Sequence, residues 1–293
     1  MLHSFPSSLH THRVSLFMAA SKPQRLFQRT DVQSSPKRAR TMATATTTTT
    51  ESAAMRDSFA KYAQYLNDLN EKRERVVKAS RDVTMNSKKV IFQVRRMSKY
   101  NKLEVLEKAE KDLAAVRDQH ISRLVRELQG TDFWKLRRAY SPGIQEYVEA
   151  ATFCSFCTSG TLLKLDEINN TLLPLSDSSL RPLQINILDY LLGLADLTGE
   201  LMRLAIGRIS DGEIQFAEKI CRFVRDIYRE LTLVVPHMDD SSDMKIKMDV
   251  MLQSVMKIEN ACFSVHVRGS EYTGLLGSDD PNSFLVGVPD IEL

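Results

Sequence analysis

The feature that most constrains the fold is a long segment without turn-forming residues. From about Ser52 to Tyr100 the sequence contains neither proline nor glycine, which is typical of one long helix. Val76, Val83, Val90 and Met97 recur within it every seven residues, a spacing that places them on one packing face. Strand-like alternation is nearly absent elsewhere, so the sequence predicts an all-α fold.

Length and composition predict one folded domain with flanking segments. A chain of 293 residues with 43% hydrophobic residues can bury one substantial core. We expect a basic leader over residues 1–50, a helical domain over 51–272 and a flexible tail over 273–293. Glycine, proline and capping residues predict the helix boundaries. The second helix is expected to end at Gly130, and Thr131 or Asp132 is expected to cap a short turn. The segment "YSPG" is expected to break the chain at 140–143. Later helices are expected over about 183–208, 213–235 and 245–267.

The leader is too polar to form a core. It is rich in Ser, Thr, Arg and His and holds seven Lys or Arg residues against one acid, Asp31, so disorder is predicted. The basic clusters between residues 22 and 40 are typical of a nuclear import signal, whereas the acid-poor first thirty residues also suit a transit peptide. We expect a protein of the cytoplasm and nucleus, with organellar targeting left open. The sequence has no stretch of 18 apolar residues, so no membrane span is expected.

One face of the long helix is predicted to be strongly basic. Residues 71–103 hold eleven Lys or Arg residues and three acids, and Arg81, Lys88, Arg95 and Lys102 recur every seven residues on the side opposite the apolar face. An unbalanced basic face favours a polyanion such as nucleic acid, bound through its phosphates without strong sequence preference. The alternative is a face that contacts solvent or an acidic protein.

Carboxylates on an otherwise apolar helix are the main functional signal. The segment 188–206 lacks a wide polar side, yet Asp189, Asp196 and Glu200 project along one line of it. A buried carboxylate costs several kcal/mol unless a cation meets it. The alternative to a functional role is pairing with Arg or Lys, or a position in a groove open to water. Arg203 lies close enough to neutralise one acid.

A second apolar helix carries Glu146 and Glu149, three residues apart and therefore neighbours on one face. If the two helices pack side by side, four carboxylates converge and repel one another unless a divalent cation lies between them. Oxygen ligands alone favour Mg²⁺, with Mn²⁺ as the alternative, because the six histidines of the chain lie outside both helices. Mg²⁺ beside a nucleic-acid face indicates phosphodiester hydrolysis. The alternative is that the two pairs never meet.

The pair Cys154 and Cys157 forms a CxxC within an apolar run. A single such pair, without a second Cys or His pair at ligand spacing, is weak evidence for zinc or redox chemistry. We expect both cysteines to pack in the core.

Three segments of the sequence, "YSPGIQEYVEA", "DYLLGLADLTGELMR" and "KIENACFSVHVRGSE", resemble the translin family, and the similarity covers about residues 52–272. The resemblance implies a fold of about seven helices and assembly with translin into a closed hetero-octameric shell. It also implies metal-dependent endoribonuclease activity on single-stranded RNA, with roles in passenger-strand removal during RNA silencing and in transfer-RNA fragment processing. The acidic catalytic motif of the family falls on Glu146, Glu149, Asp196 and Glu200, and it gives Asp189 no role.

The resulting hypothesis is the catalytic subunit of an Mg²⁺-dependent endoribonuclease whose partner is translin. One alternative is a module that binds RNA or single-stranded DNA while the acids are structural. A second is a scaffold for protein partners. The last helix, over 245–267, carries more apolar residues than one packing face needs, which predicts that the chain requires a partner.

Overall fold

The computed structural model describes residues 45–175, 182–238 and 242–276. The chain divides into two units, residues 1–56 and 57–293. The described part of the first unit is helical, and the second unit contains the bundle and its core. Residues 1–44 of the predicted leader and 277–293 of the predicted tail lie outside the described residues.

The described residues form helices and no strand, which confirms the all-α prediction. The α2 and α3 segments are continuous through a π-helical turn, Val116–Ile121, so the fold contains seven helices in the described part of the chain. In chain order the segments are α1 Ala45–Arg95, α2 Lys102–Ala115, α3 Ser122–Leu128, α4 Arg137–Ser159, α5 Leu165–Leu172, α6 Ile187–Ser210, α7 Ile214–Val234 and α8 Ser242–Leu276.

The apolar helix of the sequence is α6, and it lies at the centre of the bundle. It packs against α4, α7 and α8, and Leu197 and Leu201 on it are fully buried. Close packing against α4 depends on Gly193, because a Cβ at this position would lie 2.8 Å from Val148 Cγ1 and 2.9 Å from the carbonyl oxygen of Gln145. The missing side chain therefore brings together the two helices that carry the acids.

The apolar face of α1 packs as predicted. Val76 and Val83 are fully buried and Val90 is 1% exposed, and Met97, just beyond the helix, is 2% exposed. The helix, however, ends at Arg95 and does not reach Tyr100. The turn that follows is held by Asn101, whose side-chain oxygen accepts hydrogen bonds from the backbone N–H and the hydroxyl of Ser98 at 2.6 and 2.9 Å.

The predicted break at "YSPG" is wrong, because α4 runs through Pro142. Proline removes a backbone donor from a helix, and here a neighbouring helix supplies polar contacts on both sides of it. The Ser80 hydroxyl of α1 donates to the Tyr140 carbonyl and accepts from the Gly143 N–H, both at 3.2 Å. A contact with another helix therefore stabilises a segment that the local sequence predicts as a break in the helix.

The other predicted boundaries agree with the structure in part. Gly130, with φ of 72°, follows the α2–α3 helix, and the Asp132 carboxylate accepts a hydrogen bond from the Trp134 N–H at 3.1 Å to cap the next short turn. α1 begins at Ala45, before the expected boundary at 51, and α8 continues to Leu276 where a loose tail was predicted. No helix in the described ranges is long and apolar enough to cross a membrane.

Candidate active site

The four predicted acids line one cavity of about 610 Å³. Glu146 and Glu149 come from α4, and Asp196 and Glu200 come from α6. The spacing along each helix turns both members of a pair toward the same side, and the close crossing at Gly193 brings the two pairs to one opening. The structure thus places the four carboxylates around a shared space.

Four cationic side chains also line this cavity, and each contacts an acid. Lys88 Nζ lies 3.4 Å from Glu146 Oε2 and Arg95 Nη1 lies 3.5 Å from Glu200 Oε2. Arg203 Nη1 pairs with Glu200 Oε1, and Lys247 Nζ on α8 pairs with Asp196 Oδ2. The cavity therefore carries equal numbers of acidic and basic residues.

Among the described residues, Glu149 is the member of the acid set that forms no ion pair. It is only 8% exposed. Burial, followed by the negative charges of Glu146, Asp196 and Glu200, raises the pKa of Glu149 to about 8. Burial also raises the pKa of Glu146, and the positive charge of Lys88 opposes that rise. The cluster thus favours a proton or a cation at Glu149.

The donor set of the cavity fits a hard divalent cation, because all four side chains offer carboxylate oxygens. Glu200 Oε2 is buried without a hydrogen-bond partner, an oxygen that a metal ion would satisfy. Yet no group of three or more His, Cys, Asp or Glu side chains in the described ranges is arranged to hold a metal ion. Three of the acids instead contact cations of the chain, so the structure shows the ion-paired arrangement of the site.

Asp189, the third acid predicted on the line of α6, lies outside the cavity. It is 1% exposed, and its Oδ1 accepts hydrogen bonds from Arg137 Nη2 at 2.8 Å, from Gln145 Nε2 at 3.0 Å and from the Ser141 hydroxyl. Asp189 therefore follows the alternative of pairing with a cation, as Asp196 and Glu200 also do in the cavity. These contacts tie the start of α6 to the start of α4.

The structure divides the predicted basic face. Lys88 and Arg95 reach the acid cavity, and Arg81 is exposed on α1 outside it. Lys102 is the first residue of α2, and its Nζ lies 5.5 Å from the centre of the Phe216 ring. Because α1 ends before Lys102, the seven-residue spacing does not place this side chain on the α1 face.

Sequence reasoning gave no role at the cavity to Lys247 or Phe92, which both line it. Lys247 meets Asp196 from a helix 51 residues further along the chain, and no local pattern signals that contact. Phe92 did have a signal, since it is an aromatic residue among the basic residues of α1.

The CxxC cysteines are buried and free, as predicted. Burial raises the pKa of both the Cys154 and the Cys157 thiol. Since the thiolate is the reactive form, the raised pKa and the burial of both thiols agree with a packing role in the core.

The fold and the cavity define a class: an all-helical protein in which two adjacent helices present paired acids to a cavity lined by basic side chains. The Translin family model matches residues 71–269 of the chain, a range that includes the four acids and Lys247.

Comparisons with single proteins agree with the family model. The chain is 36% identical to translin-associated protein X of Pongo abelii over 73% of its own length and 79% of the relative. It is 30% identical to the translin-associated protein X homolog of Schizosaccharomyces pombe over 74% and 90% of the two chains. With translin of Gallus gallus the identity is 24% over 59% and 74%. The chain belongs to the translin family, which confirms the expected resemblance.

Solved structures show the same fold. The crystal structure of apo-NeC3PO matches with a TM-score of 0.55 and 19% identity, over 70% of this chain and 95% of that one. A complex of AfC3PO with duplex RNA matches with a TM-score of 0.55 and 21% identity, over 72% and 97%.

Proposed function

We propose that the chain is the catalytic subunit of an Mg²⁺-dependent endoribonuclease that acts with translin on single-stranded RNA. The observation that carries the proposal is the cavity where α4 and α6 present Glu146, Glu149, Asp196 and Glu200 among four basic side chains. Family membership supports the partnership, because the relatives at 30–36% identity are named for their association with translin. The complex of AfC3PO with duplex RNA adds support for an RNA ligand.

The charges of the cavity suit phosphodiester chemistry. With every acid ionised, the four acids and four bases balance, so an RNA phosphate meets no net attraction there. Bound at the four carboxylates, Mg²⁺ would add two positive charges, polarise a phosphate oxygen and activate water. Mn²⁺ suits the same oxygen donors.

The basic residues of the cavity have a second role in this proposal. With a divalent cation held by the acids, Lys88, Arg95, Arg203 and Lys247 would lose their carboxylate partners and would be left to hold phosphate oxygens through charge-assisted hydrogen bonds. They come from three different helices, α1, α6 and α8, so they surround the phosphate from several sides. Contacts of this kind position the backbone of a nucleic acid without reading its sequence.

The substrate and setting follow from the same contacts and from the family resemblance. Arg81 on α1 extends the positive surface beyond the cavity, where it would hold neighbouring phosphates of single-stranded RNA. Single-stranded DNA carries the same phosphates and is the second ligand we propose for this face. We propose roles in passenger-strand removal and transfer-RNA fragment processing, in the cytoplasm and nucleus.

The deciding experiment uses the chain co-purified with translin and a labelled single-stranded RNA. We expect cleavage in Mg²⁺ and none in EDTA. Asp196→Asn and Glu149→Gln should each reduce cleavage by at least about 100-fold, while RNA binding in EDTA and assembly with translin persist. Glu107→Gln, an exposed acid of α2 outside the cavity, is the matched control and should cleave normally.

Each other outcome selects a different function. Normal cleavage by Asp196→Asn would remove the proposed metal site. RNA that binds to the wild-type complex in Mg²⁺ but stays intact would identify a binding module with structural acids. Absence of RNA affinity at moderate salt would identify a scaffold.

A further inference from the structure

Phe92 is an aromatic side chain that the folded core does not use. It lies on the wall of the acid cavity and is 48% exposed. The neighbouring positions Val90 and Val94 belong to the buried face of α1, and at about 100° per residue Phe92 points roughly 160° away from each of them. Its exposure is therefore not an extension of the packing face.

Two guanidinium groups lie close to the ring. The guanidinium carbons of Arg95 and Arg96 lie 5.2 and 5.3 Å from its centre, within the range of cation–π attraction. Arg95 also contacts Glu200 Oε2 at 3.5 Å. One residue thus links the aromatic ring to the carboxylate cluster, and the ring lies at the edge of the proposed cleavage site.

We propose that Phe92 is a stacking platform for an unpaired nucleobase adjacent to the phosphate held by the basic residues of the cavity. The proposal rests on the proposed function for the identity of the ligand. Every base has a π face that stacks on an aromatic ring, and arginine guanidinium planes stack on bases in the same way. Phe92 and Arg96 together offer both surfaces beside cations that hold phosphate.

Stacking on Phe92 would make the site prefer single-stranded over double-stranded RNA. In a duplex each base is already stacked between its neighbours, whereas a base of a single strand turns outward at low cost. Phosphate contacts alone do not make this distinction, because single and double strands both carry them. In this proposal the aromatic ring is the part of the cavity that distinguishes an unpaired base from a paired one.

The test measures RNA binding by the complex with translin in Ca²⁺, a hard cation that carboxylate oxygens also hold, and a gel checks that the probe stays intact. The probe is a short single-stranded RNA with one 2-aminopurine, whose fluorescence is quenched on stacking. Phe92→Ala should weaken binding by about tenfold and reduce the quench, and Phe92→Trp should preserve both. Tyr100→Ala is the matched control, because Tyr100 is 87% exposed and has Lys99 Nζ 4.9 Å from its ring centre but lies outside the cavity.

A second RNA with an abasic nucleotide in place of the 2-aminopurine completes the cycle. The loss caused by Phe92→Ala should disappear on this RNA and on a duplex of the same length. An equal loss on the intact, abasic and duplex RNAs would overturn the proposal, as would unchanged affinity on the intact strand. Dissociation of the Phe92→Ala variant from translin would also overturn it, since the ring would then belong to a protein interface.

The experiments distinguish a failure of the proposed nuclease function from a failure of the stacking proposal. A wild-type complex that stacks the probe through Phe92 but leaves RNA intact in Mg²⁺ supports the platform and refutes the nuclease. A complex that cleaves normally and shows no Phe92 dependence refutes the platform alone.

Discussion

Replacing Gly193 by alanine is expected to separate the two helices that carry the acids. Gly193 lies on α6 where α4 crosses it, and a Cβ there would lie 2.8 Å from Val148 Cγ1 and 2.9 Å from the Gln145 carbonyl oxygen. Ordinary carbon contacts lie near about 3.5–4.0 Å. Neither neighbour can rotate away easily, because one is a β-branched side chain and the other is backbone, so the helices must shift by several tenths of an ångström.

The magnitude follows from two opposing effects. Overpacking a close contact costs about 1–3 kcal/mol, and alanine in a helix gains roughly 0.5–1 kcal/mol over glycine. Gly207→Ala on the same helix is the matched control, since no heavy atom lies within 4 Å of its added Cβ. It should stabilise the protein, and the difference between the two variants isolates the steric cost of about 1–3 kcal/mol.

The assay compares thermal unfolding and cleavage of the two variants, each co-purified with translin. A difference of this size corresponds to melting temperatures about 5 °C apart for a domain of this length. Gly193→Ala should also lose cleavage by up to about 100-fold, because a displacement near 1 Å has that effect on a catalytic arrangement, whereas Gly207→Ala should cleave normally. Equal melting and equal cleavage would show that the α4–α6 crossing does not set the site.

Three further predictions concern charge and association. Because the folded state raises the pKa of Glu149 from 4.5 to about 8, the stability this residue contributes in EDTA is complete below pH 4.5 and is lost as pH rises through 8. Glu149→Gln should therefore be as stable as the wild type at pH 4 and more stable at pH 9 by on the order of a few kcal/mol. A parallel loss of melting temperature in both proteins would contradict the burial argument. Arg81→Glu should weaken binding of all single-stranded RNAs alike and reduce the slope of log binding constant against log salt concentration by about 0.7. Lys102→Glu should have a smaller effect. An unchanged slope for Arg81→Glu would place that residue away from RNA. Apolar residues of α8 are exposed, including Met256 at 51% and Phe263 at 69%, so the isolated chain should aggregate and the translin complex should run as one species in size exclusion with light scattering. A monodisperse, fully active monomer would exclude an obligate partner.

The parts of the fold that the sequence predicted well depend on local periodicity. The seven-residue repeat from Val76 to Val90 identified the buried face of α1 correctly, since helix geometry alone fixes which residues share a face. The same geometry paired the acids on α4 and on α6. Periodicity did not show where α1 ends, because the turn that stops it depends on a side-chain contact at Asn101.

The misjudged elements depend on contacts between helices. Proline rules predicted a break at Pro142, and Ser80 of α1 stabilises the helix there. Asp189 and Asp196 occupy equivalent places two turns apart on α6, yet only Asp196 lines the cavity. The difference is that Arg137 meets the first acid inside the bundle, and a residue 52 positions away leaves no local pattern.

The ion pairs of the cavity explain how an apolar central helix carries acids at all. An isolated buried carboxylate is costly, and a cation that meets it offsets much of the cost. Here α1 supplies Lys88 and Arg95 and α8 supplies Lys247, so helices far apart in sequence must be in place before the acids are neutralised. The same cations are the ones proposed to hold phosphate. Replacing any of these cations therefore has two effects of opposite sign. The acid loses a competing ion-pair partner, which should raise the affinity for a metal ion. The phosphate also loses a partner, which should lower the affinity for RNA.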